Sequence, residues 1–387
     1  MTLRARAGLL ALILSLLAVP AIAATSGPLA NRDLGVERET DAGNQIYYDW
    51  QAATGNERKL LGKIARQGRA RWYGEWTGTG NQLVQILRRY IDSANGGDPS
   101  KVVTMSFFRQ WPRGEGDRNA FSQNDKARYK AWYDAAARAI GDSRVAVVLE
   151  PDLPLITGRH GTKDPASRMA LTRYAVAKLA ALPRTQVYID TGSADWLTIN
   201  ESVELLTRVG IGKARGFALG ATHYDSTKSN VIYCRNLASA LAKRGFPGKR
   251  CVIDTADNGR PFTFNEYKRM LASGKRRNHF DNADICRSMR DRKCNTLGIP
   301  PTTRTSSKRW GLGKPARGYA AKYVDAYLWF GRPWLKMQAY PYCKLRAIQA
   351  ARTTPWQRTP RIPQATAGQW AKQNRQCFEK PWSFANE

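Results

Sequence analysis

Along the chain, short apolar runs rich in β-branched residues alternate with stretches of helical period, and this alternation predicts the architecture. Val102-Val103-Thr104-Met105-Ser106-Phe107 reads as a buried strand, followed by a helix from Asn124 to Ile140 with Tyr129, Trp132, Tyr133, Ala136 and Ile140 on one face. The next strand, Val145 to Leu149, ends in Glu150-Pro151-Asp152. A helix from Pro165 to Leu182 precedes the strand Gln186 to Asp190, and one near Ser202 to Val209 precedes Arg215-Gly216-Phe217-Ala218-Leu219. A last helix, Asn230 to Arg244, leads to the strand Arg250 to Asp254. Strand and helix alternating in this way is the pattern of βα units on a parallel sheet, here an α/β barrel.

Three of these strands end in carboxylates. Asp152, Asp190 and Asp254 stand where strand passes into loop, and in parallel α/β folds that rim is the functional face. Taken singly, each Asp reads equally well as a cap that accepts backbone N–H groups. Three converging on one rim favour a pocket.

The N-terminus changes the picture of where the protein works. Arg4 and Arg6, an apolar run from Gly8 to Val19 and Ala21-Ile22-Ala23 have the form of a secretory signal peptide over residues 1–23. The apolar run is shorter than the roughly 20 residues needed to span a bilayer. A secreted or periplasmic protein without a membrane span is therefore expected, with residues 24–45 as an N-terminal extension and 46–387 as a single domain.

Cys234, Cys251, Cys286, Cys294, Cys343 and Cys377 are even in number, which in an exported chain fits disulfides. No CxxC pair occurs and His160, His223 and His279 are few and scattered, so metal binding is the weaker reading of these cysteines. Lys and Arg number 62 against 31 Asp and Glu, a formal net charge of +31. From Pro300 to Asn374 the sole acid is Asp325. Such a balance attracts polyanions, or merely solvates the surface of a protein of high isoelectric point.

The motifs and their order resemble glycoside hydrolase family 6, the family of cellulases that act on β-1,4-glucans. Leu149-Glu150-Pro151-Asp152 is similar to its strand-end "IEPD", and Tyr188 to Leu197 to its "YLDAGHAGWLGW". Arg215-Gly216-Phe217-Ala218 with His223-Tyr224-Asp225 resembles "RGFATNVANYN", Asp254 with Asn258-Gly259-Arg260 resembles "DTGRNG", and Cys294-Asn295 resembles "WCN". The resemblance implies a distorted parallel barrel with a substrate groove over the strand C-termini. It also implies inverting hydrolysis, in which one carboxylic acid protonates the leaving oxygen while water is activated on the opposite face.

At the positions of that chemistry the chain departs from the family. Gln110 falls where the family's acid stands, and a carboxamide has no proton to give near neutral pH. The loop holding the family's candidate base corresponds to Gly331 to Gln338, in which Met337 and its neighbours supply no carboxylate. Ser193 replaces the loop His. Glu75 and Asp152 remain as catalytic candidates, with Asp117, or its neighbour Glu115, as a substitute acid carried on a glycine-bearing loop. The resemblance makes Trp196 a sugar-stacking residue and suggests that Cys294 pairs with Cys343. Trp72, Asp190, Asp195, Asp254, Arg109, Arg332 and Lys336 complete the expected substrate contacts, with Trp76, Trp111, Trp310 and Trp334 as further aromatics that are sugar platforms or ordinary core.

Three readings follow. The first is a monomeric hydrolase of β-1,4-glucan or a related polysaccharide, by a rearranged inverting mechanism. The second is a glycan-binding pseudoenzyme that has lost its acid. In the third, Arg109, Arg332 and Lys336 adapt the groove to an anionic glycan. Specific nucleic-acid binding is the poorest fit, since charge alone is a non-specific footprint and no such module is present.

Overall fold

The computed structural model describes residues 27–38, 44–114, 117–158, 160–221, 223–276, 278–339 and 341–357. The signal segment, Glu115 and Cys377 lie outside the described residues. The chain opens with helices α1 (Gln45–Ala52) and α2 (Gly55–Ala65), then alternates β1 (Arg71–Gly74), α3 (Gly80–Asn95), β2 (Val103–Phe108), α4 (Gln123–Ile140), β3 (Val145–Leu149) and α5 (Pro165–Ala180). It continues with β4 (Thr185–Asp190), α6 (Ile199–Arg208), β5 (Gly216–Leu219), α7 (Thr227–Lys243), β6 (Arg250–Asp254), α8 (Phe264–Ala272), α9 (Lys314–Tyr323), β7 (Val324–Leu328) and α10 (Lys344–Thr353). Helix starts carry their own signals. Ser122 and Asp125 form a reciprocal cap on α4, Thr198 and Glu201 on α6, and Thr263 and Glu266 on α8.

All strand pairings are parallel and the order is β1-β2-β3-β4-β5-β6-β7. The sheet curls until its two edges meet, where Ala70 N–H donates to Trp329 O at 2.8 Å. Trp72 fastens the same seam by donating from Nε1 to Phe330 O, 2.6 Å.

Strand side chains alternate between two environments, as a period of two requires. Val145, Val147 and Leu149 of β3, Val187 and Ile189 of β4, and Cys251 and Ile253 of β6 pack outward against the helices. Ala146, Val148, Tyr188, Ala218, Val252 and Ala326 fill the barrel interior, where small residues suit the narrow space. This alternation positions the site: Asp190 follows Tyr188 by two residues and Asp254 follows Val252 by two, so both fall on the inward-facing set at the barrel mouth.

At the other end of the barrel Asp325 of β7 is buried, accepting from Tyr188 Oη at 2.7 Å and pairing with Arg215 and Arg250, each at 2.7 Å. Two guanidiniums thus offset the burial of this carboxylate.

Two disulfides lie among the described residues. Cys234–Cys251 ties α7 to β6, and Cys286–Cys294 closes a short loop. The expected Cys294–Cys343 pairing is therefore corrected. Cys294 bonds to the cysteine eight residues before it, which local chain proximity favours over a distant partner. Cys343 is disulfide-bonded too, to a partner outside the described residues.

Candidate active site

At the carboxyl ends of β3, β4 and β6 the structure gathers carboxyl groups. Asp152, Asp190, Asp254 and Asp257 are 6%, 0%, 2% and 1% exposed, so each meets little water. Asp152 adopts φ +65° directly after Pro151, which turns the chain over the end of β3. Asp190 accepts from Gly192 N–H at 3.1 Å, and its Oδ1 is buried with no hydrogen bond of good geometry among the described residues. Burial pushes its carboxyl well above the usual range, and the charges of Asp152 and Asp254 push it further.

Asp254 accepts from Ala256 N–H at 2.9 Å and from Gly331 N–H, yet burial still raises it to about 7. Asp257 lies well above the ordinary value because of burial and then the neighbouring Asp254, and its Oδ2 is buried with no hydrogen bond among the described residues. Gly331 explains how the two carboxyls fit. A Cβ there would come within 2.8 Å of Asp254 Oδ2 and 3.2 Å of Asp257 Oδ2, so the backbone at this point must be glycine. Crowded, desolvated carboxyls of this kind share protons at neutral pH, which is the property acid–base chemistry needs.

The other candidates are held differently. Glu75, just beyond β1, is ion-paired with both Arg109 and Arg128. Arg109 is 1% exposed, so its guanidinium is buried with Glu75 as its counter-ion and is not presented to solvent. Gln110 turns away from the rim: its Nε2 donates to Arg168 O at 2.9 Å and to Thr172 Oγ1 at 2.7 Å, on α5. Asp117 is tied to its own loop by Arg113 at 2.9 Å and Asn119 N–H at 3.0 Å.

Glu150 is fully buried and accepts four bonds, from Arg109 N–H, Gln110 N–H, Tyr129 Oη and Tyr133 Oη, at 2.6 to 3.0 Å. Burial raises its carboxyl while these donors lower it. It anchors the ends of β2 and β3.

The expected substrate contacts also divide. Trp196 stacks on the His223 ring with centroids 4.8 Å apart, and His223 Nδ1 lies 3.2 Å from Asp195 Oδ1. Asp195 further accepts from Phe264 N–H at 2.8 Å. Burial raises the Asp195 carboxyl, but these partners outweigh it and hold the group below the usual range. Arg332 covers the face of Trp72 at 4.0 Å from the ring centroid, and Lys336 is buried, which lowers its ammonium. Met337 lies in the short helical turn 336–338 and Ser193 is buried.

Trp72, Trp111, Trp310 and Trp334 are buried, whereas Trp76, two residues beyond β1, is 63% exposed. Phe264, 40% exposed, is a second bare aromatic, in the segment that follows β6. Asp257 and Phe264 were missed by sequence reasoning. The signal for Asp257 was present in its spacing of three residues after Asp254. No group of three or more His, Cys, Asp or Glu among the described residues is arranged to hold a metal ion. A cavity of about 690 Å³ lies elsewhere, on the outer layer along α4 and α5, and has no carboxylate in its lining.

Fold and rim together define a parallel α/β-barrel protein with a cluster of buried carboxyl groups at the carboxyl ends of its strands. The family model described as "Glycosyl hydrolases family 6" matches residues 30–334, and the chain belongs to that family. It is 32% identical over 220 residues to Endoglucanase A of Cellulomonas fimi, covering 57% of this chain and 46% of that protein. To Endoglucanase 1 of Streptomyces halstedii it is 29% identical over 219 residues, covering 54% and 65%. The chain thus spans between about half and two thirds of the length of these curated relatives. Among solved structures it resembles the endoglucanase Cel6 from Mycobacterium tuberculosis, with a TM-score of 0.63 at 23% identity, over 84% of this chain and 98% of that one. It also resembles the catalytic domain of Cellulomonas fimi Cel6B, with a TM-score of 0.57 at 18% identity over 78% and 81%. At these identities the structural likeness speaks to the fold.

Proposed function

We propose that the chain is an exported glycoside hydrolase that cleaves β-1,4-linked glucan or a closely related polysaccharide by inversion. The observation that carries this reading is the cluster of four buried carboxyls on the rim of a family 6 barrel. Asp152, the least buried of the four, meets the glycosidic oxygen. Asp190 lies against it, and the two repelling carboxyls hold a proton between them that passes to the leaving group. Asp254 and Asp257 form the second pair, which accepts the proton of the attacking water. No metal or organic cofactor is needed for either step.

Export is supported by the signal-like first 23 residues and by disulfides, which persist in oxidising compartments. No helix among the described residues is long and apolar enough to cross a membrane. Substrate units are held by the exposed faces of Trp76 and Phe264 and by the Trp196–His223–Asp195 group, since a flat aromatic face suits the C–H surface of a sugar.

Two observations favour a glycan-binding pseudoenzyme as the second reading: Gln110 is spent on core hydrogen bonds and Glu75 on two arginines. Release of reducing sugar from a panel of β-glucans, with the product anomer followed by NMR, separates the two. Turnover that Asp152→Asn abolishes supports the hydrolase, and binding without turnover across the panel supports the pseudoenzyme.

A further inference from the structure

The loop closed by Cys286–Cys294 has the sequence Cys-Arg-Ser-Met-Arg-Asp-Arg-Lys-Cys and packs on the segment that leaves the acidic cluster. Arg260, three residues beyond Asp257, forms a bridge with Cys294, and Asn258 one with Thr296. The loop therefore stands beside the carboxyl cluster.

Inside it, the single acid is turned inward. Asp291 accepts from Arg287 N–H at 2.6 Å, Ser288 N–H at 3.3 Å and Ser288 Oγ at 3.2 Å, so it braces the loop backbone, and its charge acts on Arg260 while the loop's own arginines form no ion pair with it among the described residues. Arg287, Arg290, Arg292 and Lys293 are exposed, and of these Lys293 alone has an acidic partner among the described residues, Glu266 at 2.7 Å.

The guanidiniums around the loop are also pre-positioned. Arg260 donates to Met289 O at 2.8 Å, and Arg276 donates to Arg292 O at 2.9 Å and Lys293 O at 3.0 Å. Arg292 donates to Arg290 O at 3.0 Å and Asp291 O at 3.1 Å. The Nε groups of Arg260 and Arg276 are buried donors with no partner among the described residues. Loop carbonyls thus hold cations side by side, close enough that burial and then the charge of Arg292 lower the Arg260 guanidinium. Like charges packed at fixed positions repel one another, and a bound anion removes that repulsion.

We infer that this disulfide-closed loop is a binding site for the carboxylate groups of an acidic polysaccharide whose neutral backbone runs into the groove. Planar guanidinium pairs with planar carboxylate through parallel hydrogen bonds, and several such pairs along a repeating chain add up through effective concentration. The inference rests on the glycan-acting reading above and names its substrate class. It moves the recognition of charge from Arg109, Arg332 and Lys336, which are buried or stacked, to a set of exposed cations beside the groove.

Carboxymethyl-cellulose and hydroxyethyl-cellulose share a β-1,4-glucan backbone and differ in charge. Affinity electrophoresis of the full chain in gels holding either polymer, at stepped NaCl concentrations, reads binding without turnover, so a chain that hydrolyses nothing still answers. The wild type is expected to bind the carboxymethyl polymer at least tenfold more tightly at low salt. The triple variant Arg287→Ser, Arg290→Ser, Arg292→Ser should lose that excess and keep its affinity for the hydroxyethyl polymer. A control triple, Arg89→Ser, Arg208→Ser, Lys243→Ser, removes equal charge from exposed positions on α3, α6 and α7 and should lose less than half as much in free energy of binding. Equal loss in the control, retention by the loop variant, or displacement of the polymer by duplex DNA at equal charge concentration overturns the assignment in favour of a general cationic surface. Failure of hydrolysis with the loop result intact rejects the catalytic proposal alone.

Discussion

The two sides of the barrel mouth treat carboxyl groups in opposite ways. Beyond β1 and β2, Glu75 has two guanidiniums and Asp117 has Arg113 and a backbone donor, and Glu150, at the end of β3 but turned toward β2 and α4, has four hydrogen-bond donors. Beyond β3, β4 and β6, Asp152, Asp190, Asp254 and Asp257 crowd together, and one oxygen each of Asp190 and Asp257 is buried with no hydrogen bond among the described residues. A charge that is fully paired is spent on holding the fold. Carboxyls crowded together away from water cost stability, and such a cost is expected where chemistry is done.

This contrast is open to direct test. Asp152→Asn leaves the paired side untouched and is expected to lower kcat on β-1,4-glucan by about 10² to 10⁴, the usual worth of a positioned acid or base, with the unfolding midpoint little changed. Arg109→Met acts on the other side. It removes a buried guanidinium from Glu75, which is partly exposed and keeps Arg128, and is expected to cost about 1–3 kcal/mol in denaturant unfolding. A loss of activity from Arg109→Met without loss of stability would reverse the assignment of the two sides.

The pH dependence of stability separates them further. Asp254 is raised to about 7 from an ordinary 3.8, so the folded state binds more protons than the unfolded state between those values, and stability falls as pH rises through that window. Asp257→Asn removes one of the two repelling charges and supplies an N–H donor beside Asp254. The Tm of this variant relative to wild type should therefore climb as pH rises from 4 through about 7, because both raised carboxyls of the wild type lose their proton-linked stability as they ionise. A constant difference across that range contradicts the crowding. Trp76→Ala gives the smallest effect, a rise of several-fold in KM for a long glucan with stability unchanged, because the ring is exposed and packs little.

Much of the fold was legible because the central strands are apolar and the helices between them amphipathic. Strands β2 to β6 fall within a residue or so of the predicted runs. The edge strands were not. β1 is four residues, Arg-Trp-Tyr-Gly, and β7 carries Asp325, whose burial depends on Arg215 and Arg250 from other strands. In the site, Asp190 and Asp254 were readable because each ends an apolar strand at the rim. The fates of Glu75, Arg109 and Gln110 were not, since they turn on partners from α4 and α5 that are distant in sequence. The Cys286–Cys294 pairing was missed because fifteen connectivities are open to six cysteines.

The most direct test of the central claim, that the crowded carboxyls do the chemistry, is the initial rate of reducing-sugar release from a soluble β-1,4-glucan by wild type, Asp152→Asn and Glu75→Gln. Measured turnover that falls at least a hundredfold in Asp152→Asn, and less than tenfold in folded Glu75→Gln, is the predicted result. Unchanged turnover in Asp152→Asn, or complete loss in a Glu75→Gln chain that remains folded, contradicts it.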